Sequence, residues 1–301
     1  IVNNGTTLAE IGNNAIGYAV ENGTYSNPTA GSSVTLNSDS VYIYARTDGA
    51  GTATVTNNTP VSVSGASNVV LYGKGSVNVT NNAPIDLNST NNTNINTSAG
   101  LQNVGMLLTG NGGNGLNTST IKVGISDRGN ERYSIGMAAE GTNINLENNG
   151  TINVSGNRSI GMYGSGAGTV VKNNSNIILD ASSASATNRI DGMTGIYVTN
   201  GATGYNYGTI KTAGDYTSNP YVKGITGVVI KDATFVNYSD IEINANESMG
   251  VYIKNGVIKN YGNMTITGNN SKGVIFEGTN RTTDGTSVGK DNGDPINGTD
   301  P

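Results

Sequence analysis

The residue types that most often carry out chemistry are scarce in this chain. It contains no His and no Cys. That removes the commonest general base, the commonest metal ligand and all thiol and disulfide chemistry. Carboxylates are what remain. Asp240 and Glu242 stand two apart and would share one face of a strand. Glycoside cleavage uses such a face when a second acid stands opposite. Here Lys211 is the expected neighbour of Glu242, and no partner acid stands out around the pair. There is no phosphate-binding loop and, without His, no Ser/His/Asp set. Calcium repeats of the G-G-x-G-x-D type do not recur, and Asp291-Asn292-Gly293-Asp294 is a lone calcium-like run in a polar tail. The sequence therefore predicts no catalytic residue, no metal and no cofactor, and the chain reads as a non-enzyme.

What positions the remaining polar groups is set by an unusual composition. Among 301 residues there are 44 Gly, 2 Phe and no Trp. Hydrophobic content is 35%, below the usual share for a globular core, and charged content is 12%, too low for the high-charge signature of disorder. The net charge of −5 argues against nucleic acid or an anionic membrane surface as partner. No apolar run is long enough to span a bilayer. Ile1 is a poor natural start and no signal peptide begins the chain, so it reads as a segment of a longer protein.

The apolar residues recur at a fixed beat. One motif ends on Ile152, Ile177, Ile210, Ile241 and Met264, with looser copies ending at Val61, Ile85 and Ile121. A second motif places Gly before Met, Val or Ile, at Gly17, Gly105, Gly136, Gly161, Gly195, Gly227, Gly250 and Gly273; Tyr42 and Val70 hold that slot in two early copies. Inside each copy the apolar residues alternate with period two, the mark of strands. One strand points Ile152 and Val154 inward. The second is read as pointing Ile160 and Met162 inward, with Met249, Val251 and Ile253 as counterparts. The third is short and ends on Asn. Three strands per copy predict an all-β, right-handed parallel β-helix of about ten coils with a minimum repeat of about 23–25 residues. At the usual inter-strand spacing it forms a rod roughly 45–50 Å long. The solenoid is expected over residues 1–277, with 278–301 a polar tail or long loop.

Asn57, Asn81, Asn117, Asn148, Asn173, Asn206, Asn237 and Asn260 share one slot in successive coils. Turned inward at a corner, their amides can hydrogen-bond up the stack, and this column is read as a structural ladder.

Coil length varies at one corner, between the first strand and the Gly strand, through insertions near 88–102, 126–133, 181–193 and 213–224. These carry Arg128, Glu131, Arg132, Arg189, Asp191, Tyr216, Tyr221 and Lys223. Insertions at one corner should protrude along one edge, which repeat proteins often use for binding; equally, such a corner tolerates drift. Tyr44, Tyr72, Tyr163, Tyr197 and Tyr252 form an outward column on the Gly strand, beside what would be a smooth groove of glycines. That surface suits a glycan ring, another rod or a partner domain, although Tyr favours exposed strands in any case.

The stretch Asn148–Gly164, NNGTINVSGNRSIGMYG, resembles the passenger repeats of large type V autotransporter adhesins, especially the fusobacterial kind. Similar copies run over Asn237–Tyr252 and Asn260–Val274, and weaker ones over Asn57–Gly73, so the resemblance spans nearly the whole chain short of the tail from Gly278. It implies a Gram-negative surface protein, exported through periplasm and outer membrane and anchored by a C-terminal outer-membrane β-barrel. It also implies attachment to a protein or glycan receptor on another cell. The segment itself would not span the membrane. Two other readings stand beside it: a spacer with the binding site elsewhere, and a carbohydrate-active β-helix enzyme.

Overall fold

The computed structural model describes residues 8–28, 33–49, 51–87, 103–124, 134–187 and 189–278. Their regular structure consists of parallel strands in three long sheets of ten, ten and nine strands, wound as a right-handed parallel β-helix of ten coils. The first nine coils each contribute, in chain order, a strand to the first, second and third sheet, and the tenth to the first two; Ile152–Val154, Ile160–Ser165 and Val170–Asn173 form one such coil. Neighbouring coils pair residue for residue, as in Ile121↔Ile152↔Ile177. In the first sheet the regularity reaches back past the first copy of the Ile motif. Val34–Leu36 and Glu10–Ile11 add two coils before Val61. No helix among the described residues is long and apolar enough to cross a membrane.

The interior is a column of Ile, Val, Leu and Met, with Ile152, Met162 and Val171 fully buried in one coil. A single coil closes too few apolar contacts to be stable, and stacking supplies the rest. The Asn column forms the expected ladder. Each carboxamide from Asn57 to Asn237 donates to the next at 2.8–2.9 Å. Most also donate to the carbonyl two residues on, such as Asn148 to Gly150 at 2.7 Å, which satisfies a corner carbonyl that no sheet reaches. The ladder begins one step earlier than its motif, with Asn27 donating to Asn57 at 2.9 Å.

The second sheet departs from simple alternation. The Gly slot is skipped in the pairing, so Ile135↔Ile160 and Met137↔Met162 are partners around it. One unpaired residue breaks the period of two, as a bulge does. Gly161 and Met162 therefore both face the core, while Ile160 faces outward and packs with Tyr163. This corrects the inward placement of Ile160; Met249, which pairs into the same column, follows it outward. It also corrects the groove of glycines. A Cβ on Gly161 would lie 2.6 Å from the Gly195 carbonyl oxygen and 3.1 Å from Ile177, so the column is closed by the next coil rather than open to a ligand. Tyr42, in the same slot, is fully buried, with its hydroxyl accepting from Asn27 at 3.0 Å.

A second polar ladder runs along the corner before the Gly strand. Asn68 accepts from the Ser40 backbone at 3.0 Å and Asn103 from Asn68 at 3.0 Å; Ser248 and Ser271 continue the pattern, each accepting at 3.1 Å. It is interrupted at Met193 and Ile225, both fully buried, where the two longest described insertions enter.

Candidate binding edge

The described insertions do not simply protrude. Ile190–Asp191 and Val222–Lys223 pair in parallel as a small fourth sheet, and Lys223 bridges onward to Asn246 of the next coil. Ile190, Met193, Val222 and Ile225 are all buried in the main core. Apolar residues at these positions pull the insertions back onto the stack, giving a firm edge whose charged side chains point outward. Arg128, Glu131 and Arg132, with most of the first two insertions, lie outside the described residues, as does the tail beyond Gly278.

Along that edge the Arg189 guanidinium sits 6.0 Å from the centre of the Tyr221 ring. Asp191 is fixed through its backbone: its N–H donates to the Asn157 side chain at 2.6 Å and its carbonyl accepts from Arg158 at 3.1 Å. Its side chain stays exposed, and its backbone is in strand register with Lys223, whose ammonium lies 3.3 Å from Glu247. Arg189, Asp191, Tyr221, Lys223 and Glu247 thus form a mixed-charge patch held on paired backbone. Tyr216 does not belong to it. It is 8% exposed, its hydroxyl donates to Asp180 at 3.2 Å and accepts from the Ala181 backbone at 3.1 Å. Tyr216 is an anchor that fastens the 213–224 insertion to the coil before it. Burial first, and the Asp180 charge second, push its pKa up to about 12.

The outward Tyr column is real but discontinuous. Tyr44 and Tyr72 pack at 5.1 Å, and Tyr163 and Tyr197 meet edge to face at 5.5 Å. Tyr252 donates to Glu277 at 2.6 Å, and burial followed by that bond raises its pKa to about 12. Between the two pairs the column passes through Leu107 and the buried Ala138, which joins Val104, Ile135 and Ile160 in an outer apolar cluster, so the aromatic run is broken there.

Asp240 accepts from Asn263 at 3.1 Å, and Glu242 pairs in register with Lys211. No group of three or more acidic, His or Cys residues among the described residues is placed to hold a metal ion.

One exposed feature escaped the sequence reading. Tyr207, Tyr238 and Tyr261 stack on one another at the corner after the ladder asparagine. The signal was present in the repeated Asn-Tyr pair, 206–207, 237–238 and 260–261, but it was absorbed into the Asn motif.

Fold and edge together define a parallel β-helix whose described insertions display side chains along one edge of a rigid repeat. The family model of the BigA third pectate lyase-like domain matches residues 1–209. The chain belongs to that family, and membership fits a β-helix domain of a bacterial surface protein. Neither the curated proteins nor the solved structures contain a match.

Proposed function

We propose that this β-helix is a non-catalytic adhesin segment that attaches its bacterium to a protein or glycan receptor on another cell. In this reading the parent chain is an autotransporter that reaches the surface through periplasm and outer membrane and is anchored there by a β-barrel. The observation that carries the proposal is the patch of Arg189, Asp191, Tyr221 and Lys223 on two mutually paired insertions, extended by Glu247 of the next coil. Loops left to drift have no reason to bury apolar residues and pair with one another, whereas a recognition surface gains affinity from being ordered in advance. The mixture of Arg, Tyr and both charge signs suits a polar receptor surface.

The test is attachment of the purified, fluorescently labelled domain to bacterial and host cells. Replacing Arg189, Asp191, Tyr221 and Lys223 together with Ala should lower cell attachment about tenfold or more while the melting temperature changes little, since the replaced charges are exposed. Unchanged attachment would remove the edge from the account. The unbroken Asn ladder favours a second reading, a spacer. If so, adhesion of whole cells should survive deletion of two complete coils.

A further inference from the structure

Among the described residues, four large apolar side chains stand well out of the surface, and three of them are Tyr207, Tyr238 and Tyr261, at 46%, 46% and 63% exposure. They follow the ladder asparagine in three consecutive coils. Their rings are nearly parallel, with centres 4.8 Å apart at 6° and 5.2 Å apart at 15°. Stacked carbon atoms in contact lie about 3.5–4.0 Å apart. Centre spacings this large therefore require offset stacking. Each ring slips past its neighbour and bares a strip of its face, as shingles do.

The stack is held by the fold. The backbone N–H of Tyr207, Tyr238 and Tyr261 each donates to the preceding coil's ladder asparagine carbonyl, at 2.7, 2.8 and 2.7 Å. One end is closed by the Lys172 ammonium, 5.6 Å from the Tyr207 ring centre. In earlier coils the same column is polar: Asn82 donates to Asn58 at 3.0 Å and Asn174 to Asn149 at 2.7 Å. The fold is thus satisfied without aromatics here, and the change to three successive rings needs another reason. Polar groups flank the stack. Asp240 and Asn263 follow Tyr238 and Tyr261 by two positions and bond to each other at 3.1 Å.

We infer that this corner binds an extended glycan of β-linked pyranoses, laid along the solenoid axis. An extended pyranose chain advances per sugar by a distance of the same size as the spacing between these rings. Each sugar offers a C–H-rich face to an aromatic strip and hydroxyls to flanking amides and carboxylates. The shape argues against the other occupants. The exposed apolar strip is a single file of rings, joined at its Tyr207 end by Tyr205 at 6.3 Å, whereas a protein interface centres on a broad dry patch. Single-stranded nucleic acid requires a basic groove, and this stack has one Lys at its end and Asp240 at its flank. The site lies at a different corner from the insertion edge and does not depend on it.

The experiment is calorimetric titration of the whole chain with cellohexaose and chitohexaose, with helical, α-linked maltohexaose as the comparison. At least one β-linked hexasaccharide should bind saturably and maltohexaose at least about tenfold more weakly. Losing a ring that buries on binding costs enough to weaken affinity about tenfold in Tyr238→Ala. Tyr238→Phe should stay within about twofold, because the ring and not the hydroxyl makes the contact. Asn149→Ala, in the polar part of the same column, should leave binding unchanged. Tyr261→Ala gives an independent loss should Tyr238→Ala melt early. The inference is overturned by no binding of either β-linked sugar, by equal binding of maltohexaose, or by full binding in both Tyr→Ala variants. Self-association that is lost in Tyr238→Ala, with no sugar bound, would assign the stack to a second copy of the chain instead.

Discussion

Asn148 donates its side-chain amide to the Asn173 carbonyl oxygen in the next coil at 2.9 Å, and both side chains are wholly buried. One residue thereby joins two coils and, through its second bond to the Gly150 carbonyl, closes its own corner. The chain of amides works only if every member both donates and accepts.

Removing an interior member leaves buried partners without bonds. Asn148→Ala would strand the Asn173 side-chain oxygen and the Gly150 carbonyl and leave Asn117 with only its Ser119 acceptor. Buried groups left unpaired cost about 1–3 kcal/mol each, so urea unfolding of this variant should show a loss of about 3 kcal/mol or more. Asn260→Ala, at the exposed end where the donor still bonds only to Gly262, should cost about 1 kcal/mol or less. Equal losses at the two positions would mean that the amides do not act as a ladder.

The ladder was legible in the sequence because identical side chains in identical slots leave a repeating letter. Coil number and most strand faces were legible for the same reason. Asn27 was missed because Val34 follows it by seven positions, whereas Val61 follows Asn57 by four. Ile160 was misplaced because strict alternation assumes that every residue pairs, and the Gly slot does not. Tyr216 read as a surface aromatic because its partners, Asp180 and Ala181, lie one coil away, beyond the reach of local pattern. The pairing of the two insertions left only a faint trace, Ile190-Asp191 against Val222-Lys223, within segments whose composition reads as loop.

Tyr216 makes a pH-dependent contribution whose sign follows from its raised pKa. The folded state favours the neutral phenol, with a pKa of about 12 against the ordinary 10.0. The contribution is therefore complete below pH 10 and is lost as pH rises through about 12. Tyr216→Phe removes the bonds to Asp180 and Ala181 and should cost about 1–3 kcal/mol at neutral pH. Measured by denaturant unfolding across a pH series, the gap between wild type and variant should narrow between pH 10 and 12. Tyr252, raised to about 12 beside Glu277, titrates in the same window, so Tyr252→Phe should be measured in parallel.

The two described insertions should come loose together. Val222 is 1% exposed and lies on the strand paired with Ile190–Asp191, where the Ile190 N–H donates to the Tyr221 carbonyl at 2.9 Å. A carboxylate placed there in Val222→Asp has no partner in the core, and opening the insertion is the least costly way to hydrate it. Limited trypsin digestion should then cut after Arg189 and after Lys223 about tenfold faster than in wild type, with far-ultraviolet dichroism of the coils retained. Faster cutting after Lys223 alone would mean that the insertions are independent.

The Gly column permits a comparison in which slot and substitution stay the same and only the neighbour differs. In Gly161→Ala the new Cβ would meet the Gly195 carbonyl oxygen at 2.6 Å, a backbone atom that cannot retreat without bending the next coil. Overpacking of this sort costs about 1–3 kcal/mol and sometimes more, and here the strain falls in the middle of the stack. In Gly273→Ala the equivalent position has no described residue within 4 Å, so the change should be close to neutral. Thermal unfolding should accordingly show a melting temperature several degrees lower for Gly161→Ala, by about 4–8 °C per kcal/mol in small domains and less in a chain of this size. Gly273→Ala should melt with the wild type. If the two variants melt alike, glycine is not held in this column by the carbonyl of the following coil, and the break in alternation at Ile160 needs another cause.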